Sequence, residues 1–243
     1  MGGDGEVIEY ALKMKQMDPD ATMNRLLLKN QVTPGDILQL AKKIFAFHQK
    51  ASTGPEIAQF GTVASIRRNW DDLFSKTKHH IPRLVSATDY NFIARKVYGF
   101  MDREEQLFEK RVNENRIKFC HGDFHSENVF MTPEGVFIFD RIVFNKQFPS
   151  SDVVAEIAFM AMDLEFHDRN DLSCVFIDEY EKLSQDTELR TLLPFYLCFR
   201  AYIRAWVNSF TAEDTNLNPK GKEKAEEKAI KYFSLATSYA KRL

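Results

Sequence analysis

Apolar residues along this chain recur mostly three or four positions apart, the spacing of helices with one buried face. Asp18-Pro19-Asp20 carries helix-start chemistry, and Met23, Leu26, Leu27 and Leu28 follow as a short helix. Thr33-Pro34 opens the next, with Ile37, Leu38, Leu40, Ala41, Ile44, Phe45 and Phe47 on its apolar side and His48 as a core or boundary residue. After a break at Thr53-Gly54-Pro55, a helix from about Thr62 to Lys78 carries Ile66, Trp70, Leu73 and Phe74. His79-His80-Ile81-Pro82 reads as its polar end, because adjacent residues do not share a helix face. One long helix is expected from about Ala87 to Asn113. Later helices are expected from Ser151-Asp152 to Phe166, Leu172 to Leu183, Leu189 to Phe210 and Lys222 to Leu243. The Lys-Glu run from Lys220 to Lys231 is a solvated helix face.

The period changes only in the middle. Val129, Phe130 and Met131 form a β-prone run, and Thr132-Pro133-Glu134-Gly135 supplies turn chemistry. Val136 to Phe139 form a second run. The fold class is therefore mainly α (α+β): one helical domain over residues 17–243 with a small β-hairpin embedded in it. With the turn centred at Glu134, Asn128 and Asp140 lie six residues to either side and face each other. Their Cα atoms would be roughly 4.5–5.5 Å apart. An amide oxygen and a carboxylate at that spacing suit one hard cation such as Mg²⁺.

Just before the hairpin stands His121-Gly122-Asp123-Phe124-His125-Ser126-Glu127-Asn128. Asp123 on this loop is placed to accept a proton from a substrate hydroxyl. His121, Asp123 and His125 also alternate, which fits metal-ligand spacing, but the further ligands of a metallo-hydrolase are not evident.

Composition narrows the classes. A net charge of −2 gives no reason to expect nucleic-acid binding. No run of about eighteen apolar residues predicts a membrane span, and no signal-peptide stretch stands at the start. Cys120, Cys174 and Cys198 lie in apolar surroundings and read as buried, reduced thiols of a cytoplasmic protein.

The pattern His-Gly-Asp-x-x-x-x-Asn followed by a hairpin to Asp resembles the catalytic loop of aminoglycoside phosphotransferases, choline kinases and related small-molecule kinases of protein-kinase-like fold. Phe139 to Asn145 and Ser151 to Phe159 are similar to a bacterial branch of that family, some of whose members are fused to an ATPase domain. The resemblance implies ATP and Mg²⁺, with Asp123 as catalytic base and Asn128 and Asp140 as magnesium ligands. It implies that His121 and His125 shape the loop. Asp152, a natural helix N-cap, would also hydrogen-bond the loop. Residues 1–16 resemble the last strand of an N-terminal lobe and the hinge, where Tyr10, Leu12 and Met14 would receive an adenine ring. The remainder resembles the C-terminal lobe, so a missing N-lobe or fused domain is expected as a partner.

The chain departs from the family pattern at three places. Arg141-Ile142 follows Asp140 where protein kinases have Phe-Gly. Relatives often carry an acid at the place of Val143 and Asp at that of Glu156, the latter a carboxylate that braces the loop from the following helix. The expected activity is phosphoryl transfer from ATP to a hydroxyl of a small molecule. The alternative is a truncated or non-catalytic kinase-like module that binds a metabolite or partner. Asp163, Glu165 and Asp168 are candidates to receive a cationic acceptor, or else solvated helix charges.

Overall fold

The stretch Val153 to Leu164 offers no polar face, and a helix apolar all round must be buried. In the computed structural model, which describes residues 16–243, this helix is the centre of the fold. Every residue from Val153 to Leu164 is buried, Glu156 and Asp163 included.

Around it lie α1 (Met23–Leu28), α2 (Pro34–Lys50), α3 (Pro55–Ala58), α4 (Val63–Thr77), α5 (Ala87–Arg103) and α6 (Glu105–Asn113). The central helix is α7 (Val153–Phe166), followed by α8 (Asn170–Ser184), α9 (Leu189–Glu213) and α10 (Pro219–Ala240). Helix α7 packs on α8 and α9, α8 on α2, and α10 along α9. The apolar core is continuous from Met23 in α1 to Ala240 in α10. The expected α2 start is sharp: Thr33 and Asp36 form a capping box ahead of Pro34. Among the described residues no helix is long and apolar enough to cross a membrane.

Among the described residues, four short strands make two separate antiparallel pairs. Strands β2 (Val129–Thr132) and β3 (Gly135–Ile138) are the predicted hairpin. Strands β1 (Ile117–Phe119) and β4 (Ser150–Asp152) pair across the whole site segment, Ile117 opposite Asp152. They close the segment between them into one unit attached to α7.

Several sequence expectations are corrected. The single helix over 87–113 is two, because the chain turns at Glu104 (φ −103°, ψ 18°). That turn lets α6 bury Phe108 and Arg111. The thiol of Cys174 is exposed, unlike those of Cys120 and Cys198, because it lies off the core face of α8. His80 is buried, so the end of α4 is not simply polar. Its ring lies 3.9 Å from that of His79 in the tight turn Lys78–His80. The hinge residues Tyr10, Leu12 and Met14, and the predicted strand around them, lie outside the described residues.

The buried Arg111 locks α6 to the site. Its Nε and Nη2 each donate to Asp152 at 2.8 Å, and Nη1 donates to both oxygens of Asp186 at 2.7 Å. A planar guanidinium meets two carboxylates at once in a way an ammonium does not. Arg111→Lys is expected to lower unfolding free energy by about 1.5–3 kcal/mol, the scale of lost hydrogen bonds to charged groups, read by urea denaturation.

Candidate active site

The loop from Cys120 to Asn128 is fastened before it presents anything. Gly122 adopts φ +91°, and a Cβ there would stand 3.0 Å from the Pro149 Cβ and 3.1 Å from its Cα. Glycine therefore satisfies both the backbone and the packing at this bend. Glu156, one turn into α7, accepts from the backbone N–H of His121 at 2.9 Å and of Gly122 at 2.7 Å. Asp163, two turns further, accepts from the Ser126 N–H at 2.8 Å. Two buried carboxylates on one helix thus hold both ends of the loop. Glu at position 156 supplies the brace that the departure from Asp had left open.

The brace has its own support. Glu156 Oε2 lies 2.9 Å from His48 Nε2, and His48 Nδ1 lies 2.7 Å from the Tyr180 hydroxyl. Burial alone would raise the Glu156 carboxyl. The hydrogen bond and charge of His48 and the two loop amides outweigh it and hold the group below its ordinary value. An ionised Glu156 can only accept, so His48 donates to it through Nε2.

The braced loop brings Asp123, His125 and Asn128 together. His125 Nε2 lies 3.3 Å from Asp123 Oδ2, and its ring stacks on Phe159 at 5.2 Å. Asn128 Nδ2 donates to both the carbonyl and Oδ2 of Asp123, each at 2.9 Å. This orients the amide and leaves its Oδ1 without a hydrogen-bond partner among the described residues. Burial pushes the Asp123 carboxyl up, but His125 and the Asn128 amide together bring it down to about 2. The buried ring of His121 has its pKa lowered by desolvation, and its Nδ1 accepts from the Asp123 N–H at 3.4 Å.

Asp140 is displaced from the expected register. The ladder pairs Thr132 with Gly135 and Val129 with Ile138, so the turn centre falls between Pro133 and Glu134. The Phe139 N–H donates to the Asn128 carbonyl at 2.9 Å, which makes Phe139 the residue facing Asn128. Asp140 follows in a left-handed conformation, φ +62°, which ends strand alternation there. It is exposed, and makes no hydrogen bond or ion pair among the described residues. Arg141 then pins the chain back: its Nη2 donates to the Phe119 carbonyl at 2.7 Å and its Nε to that of Cys120 at 3.1 Å.

Asp152 caps α7 as predicted, accepting from the Val154 N–H at 2.8 Å. Its expected bond to the loop is not made: both oxygens are engaged by Arg111. Asp163 is neither a solvated charge nor an open acceptor of cations. Glu165 accepts from Ser173 and Tyr239, and Asp168 pairs with Lys231 on the surface.

Among the described residues, two groups hold potential metal ligands within 4.8 Å of one another: His48, Cys120 and Glu156, and His79, His80 and Glu213. Neither contains the His121-Asp123-His125 alternation. In the first group, His48 and Glu156 are already engaged in bracing the loop.

Beside Asp123 opens a cavity of about 370 Å³, bounded by α4, α7 and α9. Its wall includes Gly122 and Asp123, but neither Asn128 nor Asp140. Sequence reading missed two of its residues, Arg200 and Arg204. The signal for them was a pair of arginines four apart in the otherwise apolar stretch from Leu192 to Val207.

Comparison with known proteins yields relatives without an assigned role. One protein of Mycobacterium bovis and two of Mycobacterium tuberculosis, each described as uncharacterized, are 29% identical over 205 residues. The match covers 84% of this chain and 40% of each relative. The chain thus spans well under half the length of the curated relatives it matches. No family model matches, and no solved structure does.

Proposed function

We propose that this chain is the C-terminal lobe of an ATP- and Mg²⁺-dependent small-molecule kinase similar to aminoglycoside phosphotransferases. One observation carries the reading: Asn128 Nδ2 is bonded to Asp123, which leaves its Oδ1 without a hydrogen bond at the start of the hairpin that leads to Asp140, itself without a hydrogen bond or ion pair among the described residues. A free amide oxygen and an unneutralised carboxylate are hard donors of the kind magnesium takes when it also binds phosphates. Asn128 and Asp140 would hold the ion, which supplies charge neutralisation on the nucleotide phosphates.

Asp123 receives the acceptor hydroxyl. The hydroxyl oxygen bonds to the γ-phosphorus as the bond from that phosphorus to the bridging oxygen of ADP breaks, and the hydroxyl proton passes to Asp123. A carboxyl held at about 2 is a weak base. Its work is chiefly orientation, which suits a loose transition state that asks little deprotonation early. His125 and Asn128 fix the direction in which the carboxylate presents its oxygens.

The test is a titration of this chain with ATP, with and without magnesium. Binding is expected to require the ion, and Asp140→Ala is expected to weaken it roughly tenfold or more, the loss of one charge-assisted contact. Magnesium-independent binding, or binding unchanged in the variant, would remove the metal assignment. A chain that binds no nucleotide would favour a non-catalytic binding module.

A further inference from the structure

The cavity beside Asp123 has a charge pattern that the proposed reaction does not explain. Its carboxylates are accounted for. Asp72 is paired with Lys76 at 2.6 Å and Asp152 with Arg111 at 2.8 Å. That leaves Asp123 as the acid facing the space.

The two arginines are less fully matched, Arg200 least of all. Arg200 is only 6% exposed, and its Nε donates to the Ala155 carbonyl at 2.9 Å. No carboxylate lies within ion-pair distance of it among the described residues. The nearby Glu156 already accepts from two amides and His48. Arg204 is better matched: it pairs with Glu127 at 3.8 Å and feels Tyr232 and Asp163, but its buried Nε has no hydrogen-bond partner. A buried guanidinium without a counter-charge is costly, and it is ordinarily paired by protein or by ligand. Both line the cavity, together with Phe159, Phe199 and Trp206. Arg200 lies over the Phe159 ring at 4.8 Å, which holds its plane against one wall.

Resting on the kinase reading, we propose that the acceptor is an apolar hydroxylated molecule that also carries an anionic group, a carboxylate or phosphate. Arg200 and Arg204 take the anion, the aromatic walls take the apolar body, and the hydroxyl reaches Asp123. A cationic amine in the same space would meet the Arg200 guanidinium, which has no ion pair among the described residues, and beside it that of Arg204. The cavity volume is within the ordinary range for small-molecule sites.

A matched pair of probes tests this by calorimetry. 3-Phenyllactate and phenylalaninol share the phenyl ring and one hydroxyl, and differ in carrying a carboxylate or an ammonium. Phenyllactate is expected to bind roughly tenfold or more tightly than phenylalaninol, the scale of a charged hydrogen bond. Arg200→Gln and Arg204→Gln, with unchanged circular dichroism, are each expected to lose that preference, and Arg200→Lys to keep part of it. If Arg200→Gln does not fold, Arg204→Gln carries the test, since its side chain is 17% exposed. Equal or tighter binding of phenylalaninol, no binding of either at millimolar concentration, or folded variants that bind phenyllactate like the parent would overturn the proposal. Displacement of phenyllactate by Mg·ATP would also overturn it, assigning the arginines to the nucleotide. If Mg·ATP fails to bind while the anion preference and its arginine dependence persist, the kinase reading falls and the anion site remains.

Discussion

Asp123→Asn is expected to lower phosphoryl transfer about 10²- to 10⁴-fold while leaving Mg·ATP binding close to that of the parent. The split follows from the geometry. An asparagine oxygen can still accept from Asn128 Nδ2, which now lies 2.9 Å from Asp123 Oδ2, so the metal-side amide stays oriented. What is lost is the negative charge that, in the proposed reaction, orients the acceptor hydroxyl and finally takes its proton. Single-turnover measurement with saturating nucleotide isolates that step from product release. Asp123→Ala should behave differently. It removes the side-chain acceptor for Asn128 and His125 as well, so nucleotide affinity should fall together with the rate. Equal turnover in parent and Asp123→Asn would end the proposed role of this residue.

The elements carrying this site were legible in the sequence because each is local. The hairpin shows as two β-prone runs around Pro133-Glu134, and the loop as a run of residues whose chemistry is shared. The register error at Asp140 has a simple cause. A two-residue turn centres between residues, not on Glu134, and one further bond from Phe139 to Asn128 extends the pairing. What stayed hidden was set by distant partners. Nothing near Glu104 opposes helix, yet the chain breaks there, and Arg111 reaches residues 41 and 75 positions away. Strand β4 consists of Ser150-Ser151-Asp152, a poor strand by propensity, and exists through its pairing with β1. Glu156 stands out only through the family pattern, as a departure from Asp, and Asp163 only as a candidate for a cationic acceptor or a solvated charge. Only the burial of every face of α7 shows that they must have partners.

That burial makes Glu156 the residue whose loss should propagate furthest. Glu156→Ala is expected to cost about 3–5 kcal/mol, the scale for breaking a buried charged network by removing one member. The His121 and Gly122 amides and His48 Nε2 would all lose their acceptor in a site closed to water. Against a typical total of about 5–15 kcal/mol, this is a large share, so a lower urea midpoint is expected with little change of slope. Glu156→Gln preserves volume but sets an amide N–H₂ against donors that need an acceptor, and should recover only part of the loss. The two variants also differ from the parent in acid. Because the folded protein holds the Glu156 carboxyl below its ordinary 4.5, its stabilisation is fully present above that pH. It is lost as pH falls through the lower folded value. Asp123 adds a contribution of the same sign, lost between its ordinary 3.8 and about 2. Unfolding free energy measured from pH 6 downward should therefore fall less steeply in Glu156→Gln than in the parent. An identical slope in both would mean that the carboxylate at position 156 is not the charged brace of the loop.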